Sequence, residues 1–412
     1  MLIARDIGLD KNFPGTSKNA LKKRDEAREF DLDSCILLGS AAQRRAASLP
    51  DMDLTRLLQN RTPMDVRCVP MDDRAGREVL VVIAKMTWSI SPTGVATIGR
   101  PIAPVRLFDV PISDATHASL RSMSDAVEEK PGTDVLLIGT AYPPRPDATR
   151  TSVTLRVETG KTSLNKTLNV FGPRVWQQAL LGLTPGPSSK MQPTPLIYEL
   201  AFGGVDATDP NAIQSDYRNL AGTGFLERRA ALAGRPAPVL EDPRFPLSSR
   251  APAPAGFGPI PAHWAPRSER IGTYDDTWRR ERAPLRPLDF DPRHGSCAPD
   301  DQWLETPLVG DEPVEVLGAT PEGSMRFRLP RYSPLFYSTV RGLAYEHETH
   351  LDTFFIDADQ RRVELVWRAS VPLPRKTEHL EKIVIFGSEP LPERVVAHLA
   401  DGVFGGGSTE AQ

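Results

Sequence analysis

The chain has 412 residues, roughly three domain lengths by a soft prior. It holds 40% hydrophobic and 25% charged residues at a net charge of −3, so it can bury a core and carries no overall basic field for nucleic acid. Its unusual count is proline, 40 residues, with 14 of them in the 80 residues 231–310, a density that excludes long helices there.

In chain order, residues 1–50 are polar. Ser17 can cap a helix through Ala20, Leu21, Ala27 and Phe30, and 35–49 is a second short helical candidate, so this stretch reads as an appended arm. It shows no apolar signal segment, and the longest apolar runs, such as 79–84, are far short of a membrane span. Cys35, Cys68 and Cys297 are far apart and odd in number, which builds no disulfide framework or zinc pattern. The expected location is the cytoplasm, a reducing compartment.

Strand patterns dominate from residue 64. The run 64–71 alternates weakly, and 77–90 is a strong β segment ended by the turn Ser91-Pro-Thr-Gly94, with 95–98 as the return of a hairpin. A strand is predicted at 133–142. The segments 152–158 and 166–171 alternate cleanly around Thr159-Gly160 and read as a second hairpin. Another strand is predicted at 196–202, stopped by Gly203-Gly204. Helices are predicted at 112–129, at 174–183 after Pro173, and at 392–399, where Pro392 starts and Gly402 follows. Between 185 and 307 no regular element is readable. Strands resume at 325–329, 353–356, 362–371 and 382–386, and 405–412 has linker composition.

The predicted fold class is mainly β, a β-sandwich or barrel-like core with a long irregular Pro/Gly-rich insert and a few short helices. The predicted organisation is an arm at 1–50, a β domain at 51–371 that includes the irregular region 185–307, and a C-terminal strand, short helix and tail at 372–412.

No specific catalytic signature is present: no nucleophile elbow, P-loop, dinucleotide fingerprint or paired-histidine zinc helix. His347 and His350 are the best metal candidates, with Asp352 or Asp357 as the nearest third ligand; the alternative is a solvated loop. Asp289, Asp291 and His294 could support acid/base work or simply form a turn. Lys85 lies within an apolar strand, where it is either a lysine with a depressed pKa or an ion-paired one. Glu199 reads as a paired structural carboxylate. The glycines around Phe225 and Phe257 allow close backbone approach to a ligand, or tight turns packed under aromatics.

A series of unusual segments is more specific than any one of them. In order these are Thr133-Asp-Val-Leu-Leu-Ile-Gly-Thr-Ala-Tyr142, Lys166-Thr-Leu-Asn-Val-Phe-Gly-Pro-Arg-Val-Trp176 and Tyr198-Glu-Leu-Ala-Phe-Gly-Gly204. Then come Asn219-Leu-Ala-Gly-Thr-Gly-Phe225, Pro236-Ala-Pro-Val-Leu-Glu-Asp-Pro243, Gly256-Phe-Gly-Pro259, Trp264-Ala-Pro-Arg267 and Gly272-Thr-Tyr-Asp-Asp-Thr-Trp278. The series, from about Asn60 to about Leu329, resembles the bacterial family called domain of unknown function 2169. The strand carrying Lys85 and Thr87, and Leu365-Val-Trp-Arg368, also look like family features. The resemblance implies a non-enzymatic adaptor or chaperone of type VI secretion, binding a toxic effector and helping to load it on the spike protein or spike tip. It implies no catalytic residues, and no cofactor, nucleic-acid or membrane partner is expected. Phe225, Phe257, Trp264, Tyr274 and Trp278 are the candidate partner-binding residues, because aromatics are the usual interface anchors. The alternative is a hydrolase or metal-dependent enzyme with a dispersed site. Residues 291–299 depart from the family pattern, and 1–50 lie outside it.

Overall fold

The computed structural model describes residues 54–160, 163–180, 182–249, 252–373 and 379–387. The arm at 1–50, the helix expected at 392–399 and the tail at 405–412 lie outside the described residues.

One turn of helix, α1 (Leu54–Leu57), leads into β1 (Leu58–Arg61), β2 (Asp65–Asp72), β3 (Glu78–Ile90) and β4 (Ala96–Ile98). β3 is the strong β segment of the sequence, and Gly94 turns it back onto β4. Next come β5 (Val110–Pro111), β6 (Leu120–Ser122), β7 (Thr133–Ile138), β8 (Thr140–Ala141), β9 (Arg150–Glu158) and β10 (Ser163–Phe171). The next strands are short: β11 (Trp176–Ala179), β12 (Gly182–Pro185), β13 (Thr194–Pro195), β14 (Phe202–Asp206), β15 (Gln214–Asp216), β16 (Thr223–Gly224), β17 (Leu240–Glu241) and β18 (Trp303–Leu304). The chain finishes with β19 (Pro313–Leu317), β20 (Ser324–Arg328), β21 (Leu335–Val340), β22 (Leu343–His347), β23 (His350–Asp357), β24 (Arg362–Pro372) and β25 (Leu380–Phe386).

The protein is mainly β, and among the described residues no sheet closes into a barrel. A seven-stranded sheet runs β18-β7-β23-β24-β3-β2, with β4 also on β3; only β7 and β23 are parallel in it. A five-stranded antiparallel sheet runs β17-β10-β9-β19-β20, and a four-stranded one β1-β25-β21-β22. Leu80, Val82, Ala84 and Met86 of β3 share one core with Val153 and Leu155 of β9 and Ile383 of β25, so all three sheets feed it. β3 is buried on both faces: Val79, Val81 and Ile83 form a second cluster with Val105 and Val366.

Two predicted helices are not helices. Residues 112–129 hold β6, which pairs with β5 just before them, and turns, because their polar side chains are used elsewhere: Ser119 bonds Glu199 and Asp125 bonds Lys85. Residues 174–183 form the hairpin β11–β12, which buries Trp176 against Phe202, Leu232 and Ala237; tertiary packing overrides helix propensity there. The strand expected at 196–202 is instead a 3-10 turn, Tyr198–Leu200, before β14.

The irregular region is held by buried polar side chains that bond backbone, in place of ladders. Asn219 Nδ2 donates to the carbonyls of Tyr198 and Phe202, and Gln302 Nε2 donates to those of Val135 and Phe257. Arg267 donates to the carbonyls of Ile260 and His294. Gly256 lies against the Tyr198 ring, 2.4 Å from where a Cβ would sit, so its missing side chain serves aromatic packing. Gly203 has φ +149°, and a Cβ there would meet the Asn219 carbonyl oxygen at 2.3 Å.

Thr273–Leu288 belongs to a different unit from the other described residues. In it α2 (Asp276–Glu281) is capped by Asp275, whose carboxylate accepts from the Trp278 N–H at 2.8 Å. Trp278 Nε1 donates to the Leu285 carbonyl at 2.8 Å, and the Tyr274 and Trp278 rings meet edge to face at 4.7 Å. No described helix is long and apolar enough to cross a membrane.

Candidate functional site

Alternate residues of a strand face opposite sides of its sheet. With Ala84 and Met86 of β3 and Leu365 and Trp367 of β24 in the shared core, Lys85, Thr87, Glu364, Val366 and Arg368 take the other face of the seven-stranded sheet. Register sets Glu364 between Thr87 and Phe355, and Val366 between Lys85 and Thr353. The segment joining β4 to β7 supplies Arg106, Asp125 and Lys130 to these residues.

Lys85 is 1% exposed, and its Nζ lies 2.7 Å from Asp125 Oδ2 and 3.2 Å from Glu364 Oε2. Arg106 clasps Glu364 with two bonds of 2.6 and 3.0 Å, and its backbone N–H donates to Asp125 at 2.8 Å. Two cations and two carboxylates thus neutralise one another. Burial alone would raise the Glu364 carboxyl; Arg106 and Lys85 outweigh it and hold the group down at about 2. Lys85 is therefore an ion-paired structural lysine.

A second neutral set adjoins the first. Lys130 Nζ bonds Asp134 at 2.7 Å and the Thr353 hydroxyl at 2.8 Å; Thr353 donates on to Asp352, which Arg368 also binds. Burial disfavours the Lys130 charge, but Asp134 and Asp352 reverse this and hold its pKa above the ordinary lysine value. Arg368 Nη1 donates to the carbonyls of Asp125 and Val127, joining the two sets. Asp134 also accepts the Cys297 N–H at 2.9 Å. Burial pushes the Cys297 thiol up to about 12, so it is protonated at neutral pH and is no nucleophile.

Between the sets lies a cavity of about 20 Å³, bordered by Lys85, Asp125, Lys130 and Cys297, room for about one water. Beside it a larger cavity of about 300 Å³ is lined by Arg106, Arg121, Asp357, Arg362 and Glu364. Burial raises the Asp357 carboxyl; the Gln360 N–H that it accepts at 3.1 Å and Arg121 at 3.5 Å oppose this only in part.

The metal candidates His347 and His350 are each engaged by a protein group. His347 ends β22 and its Nε2 bonds the Ser338 hydroxyl at 2.8 Å; His350 starts β23 and its Nε2 bonds the Lys130 carbonyl at 2.9 Å. Asp352 is engaged by Arg368 and Asp357 lines the larger cavity. Among the described residues no group of three His, Cys, Asp or Glu side chains is placed to hold a metal. Asp291 accepts from the Arg293 N–H and His294 Nδ1 bonds the Arg267 carbonyl, a turn as the proline context suggests. Glu199 accepts from the Ser119 N–H and hydroxyl.

The aromatic candidates divide. Phe257 and Trp264 are fully buried, so they are packing residues in this fold and not surface anchors; Trp264 meets Tyr198 edge to face at 5.6 Å. Phe225 is half-buried against the Trp176 cluster. Tyr274 and Trp278 are half-buried and pair with each other. Sequence reasoning missed Arg106, Asp125, Lys130 and Asp134. The charges at Glu364 and Arg368, four apart in an apolar strand as Lys85 is within its own, were the available signal.

The model of a family described as an uncharacterized protein conserved in bacteria, DUF2169, matches residues 75–368. The chain belongs to this family. The family span contains β3 and β24 up to Arg368, and so encloses every residue of the two charged sets. No curated protein and no solved structure matches the chain.

Proposed function

We propose that the chain is a non-enzymatic adaptor or chaperone that binds a type VI secretion effector and helps to load it on the spike. The family resemblance supplies the class, and one structural observation supports a protein-binding role. β22 is the last strand of its sheet among the described residues, and Leu343, Ala344 and Tyr345 are exposed along it. An open strand edge offers unpaired backbone groups to an extended partner segment, while exposed Leu343 and Tyr345 add apolar contact.

Co-purification with candidate effector and spike proteins tests this reading. Elution of the chain alone in their presence counts against it. The double variant Leu343→Lys with Tyr345→Lys is expected to lose the partner. Its melting temperature should stay within a few degrees, since exposed substitutions change stability by about 0.5 kcal/mol or less. Retained binding would remove β22 from the interface.

The second reading, a hydrolase, is favoured by Asp357, a carboxyl raised by burial beside a cavity that arginines also line. Turnover of ester or phosphoester substrates that Asp357→Asn abolishes would establish it. Turnover that survives the substitution would not.

A further inference from the structure

The 300 Å³ cavity has an unbalanced charge. Of its three guanidinium groups, Arg106 is fully used by Glu364, which also has Lys85 at 3.2 Å. Arg121 makes a single 3.5 Å contact with Asp357 and keeps a side chain 54% exposed. Arg362 pairs with no carboxylate among the described residues; its Nη2 donates to the Pro101 carbonyl at 3.1 Å and reaches the Thr87 hydroxyl at 3.5 Å. Two cations therefore face one carboxylate, Asp357, after the closed set is set aside. Phe355 and Ile138 give the cavity an apolar wall. Its volume is at the lower end of small-ligand sites.

We infer that this cavity binds a carboxylate carried on a short branched apolar group, with Arg121 and Arg362 on the anion and Phe355 and Ile138 against the apolar part. Arginine suits this task because its planar donors match a carboxylate two bonds at a time. Asp357 competes for Arg121 when the cavity is empty. The inference is independent of the adaptor reading, since a small carboxylate can bind whether or not β22 takes a partner. Two sources share this chemistry: a free branched-chain acid and a peptide carboxyl terminus.

Calorimetric titration of the full chain at neutral pH tests it, with 4-methylvalerate, N-acetyl-leucine and N-acetyl-leucinamide as probes. At least one of the two acids is expected to bind saturably, and the amide at least tenfold more weakly. Preference for N-acetyl-leucine assigns a peptide terminus, and preference for 4-methylvalerate a free acid; both support the site. Arg121→Gln, at a largely exposed side chain, is expected to weaken binding about tenfold. Asp357→Asn is expected to tighten it by removing the competing carboxylate. Equal binding of acid and amide, or no titration by either acid, overturns the proposal whatever the variants do. Weaker acid binding in Asp357→Asn overturns it too, because it would make Asp357 a binding group for the ligand.

Discussion

Lys85→Met is expected to lower the unfolding free energy by about 3–5 kcal/mol, the usual cost of removing one partner from a buried ion pair. Methionine nearly fills the lysine volume, so the loss does not come from a void. It comes from the charges left behind. Glu364 retains the two bonds from Arg106, but Asp125 keeps only the 2.8 Å bond from the Arg106 N–H on the oxygen that Lys85 held. Asp125 is 7% exposed and the adjoining cavity has room for about one water, so bulk solvent cannot replace the lysine charge. Urea denaturation measures the effect. The double variant Lys85→Met with Asp125→Asn is expected to recover a large part of the loss, since it removes the orphaned charge and leaves the Arg106–Glu364 pair intact. A single-variant loss below about 1 kcal/mol would mean that the cluster is wetter than its geometry indicates.

Why Lys85 stood out and its partners did not is a matter of separation. A lysine among Val, Ile and Ala in one strand is visible by itself. Its partner Asp125 lies 40 positions away, and Arg106 meets Glu364 across 258 positions. The Arg106–Glu364 pair meets the Lys85–Asp125 pair only once β24 has docked on β3 in the register that sets Glu364 beside Thr87. Local pattern was sufficient where neighbours in sequence pair with each other, as in β9–β10, whose alternating residues predict the hairpin directly. It failed at 112–129 and 174–183, where distant groups decide the backbone: Ser119 is held by Glu199, and Trp176 is buried beside Phe202 and Ala237.

The region 231–310 makes the same point with proline. Its composition excludes long helices, and none forms; the longest described helix in it, α2, spans Asp276–Glu281. Composition cannot show what replaces them. Order there comes from single side chains with several donors, Gln302 and Arg267 among them, each bonding carbonyls in separate segments. Such groups are costly to bury unpaired, so each fixes the loops that satisfy it. Phe257 and Trp264 are buried within this region and are not surface anchors, whereas the edge at β22 is open.

Acid is expected to destabilise the protein through Glu364. The group sits at about 2 in the folded chain, against 4.5 for an ordinary glutamate. Between those values the unfolded chain binds the proton first. The contribution is thus fully present above about pH 4.5 and is lost as the pH falls through 2. A gap of that size corresponds to about 3 kcal/mol, at ~1.4 kcal/mol for each pH unit. Burial disfavours the Arg106 charge, but Glu364 and Asp125 outweigh it and hold its pKa above the ordinary arginine value, so the guanidinium stays protonated throughout this window. Asp352 and Asp301 are also held below the usual carboxylate range, by Arg368 and Lys130 and by Lys166 and Arg244 respectively, once the opposing effect of burial is overcome. They slope the whole curve in the same direction. Comparison with Glu364→Gln isolates the one group: the variant is less stable at pH 6, and its deficit should shrink steadily as the pH falls from about 4.5 towards 2.5. Denaturation midpoints for the two chains across that range decide it, and parallel curves would show that Glu364 carries no more than an exposed glutamate does.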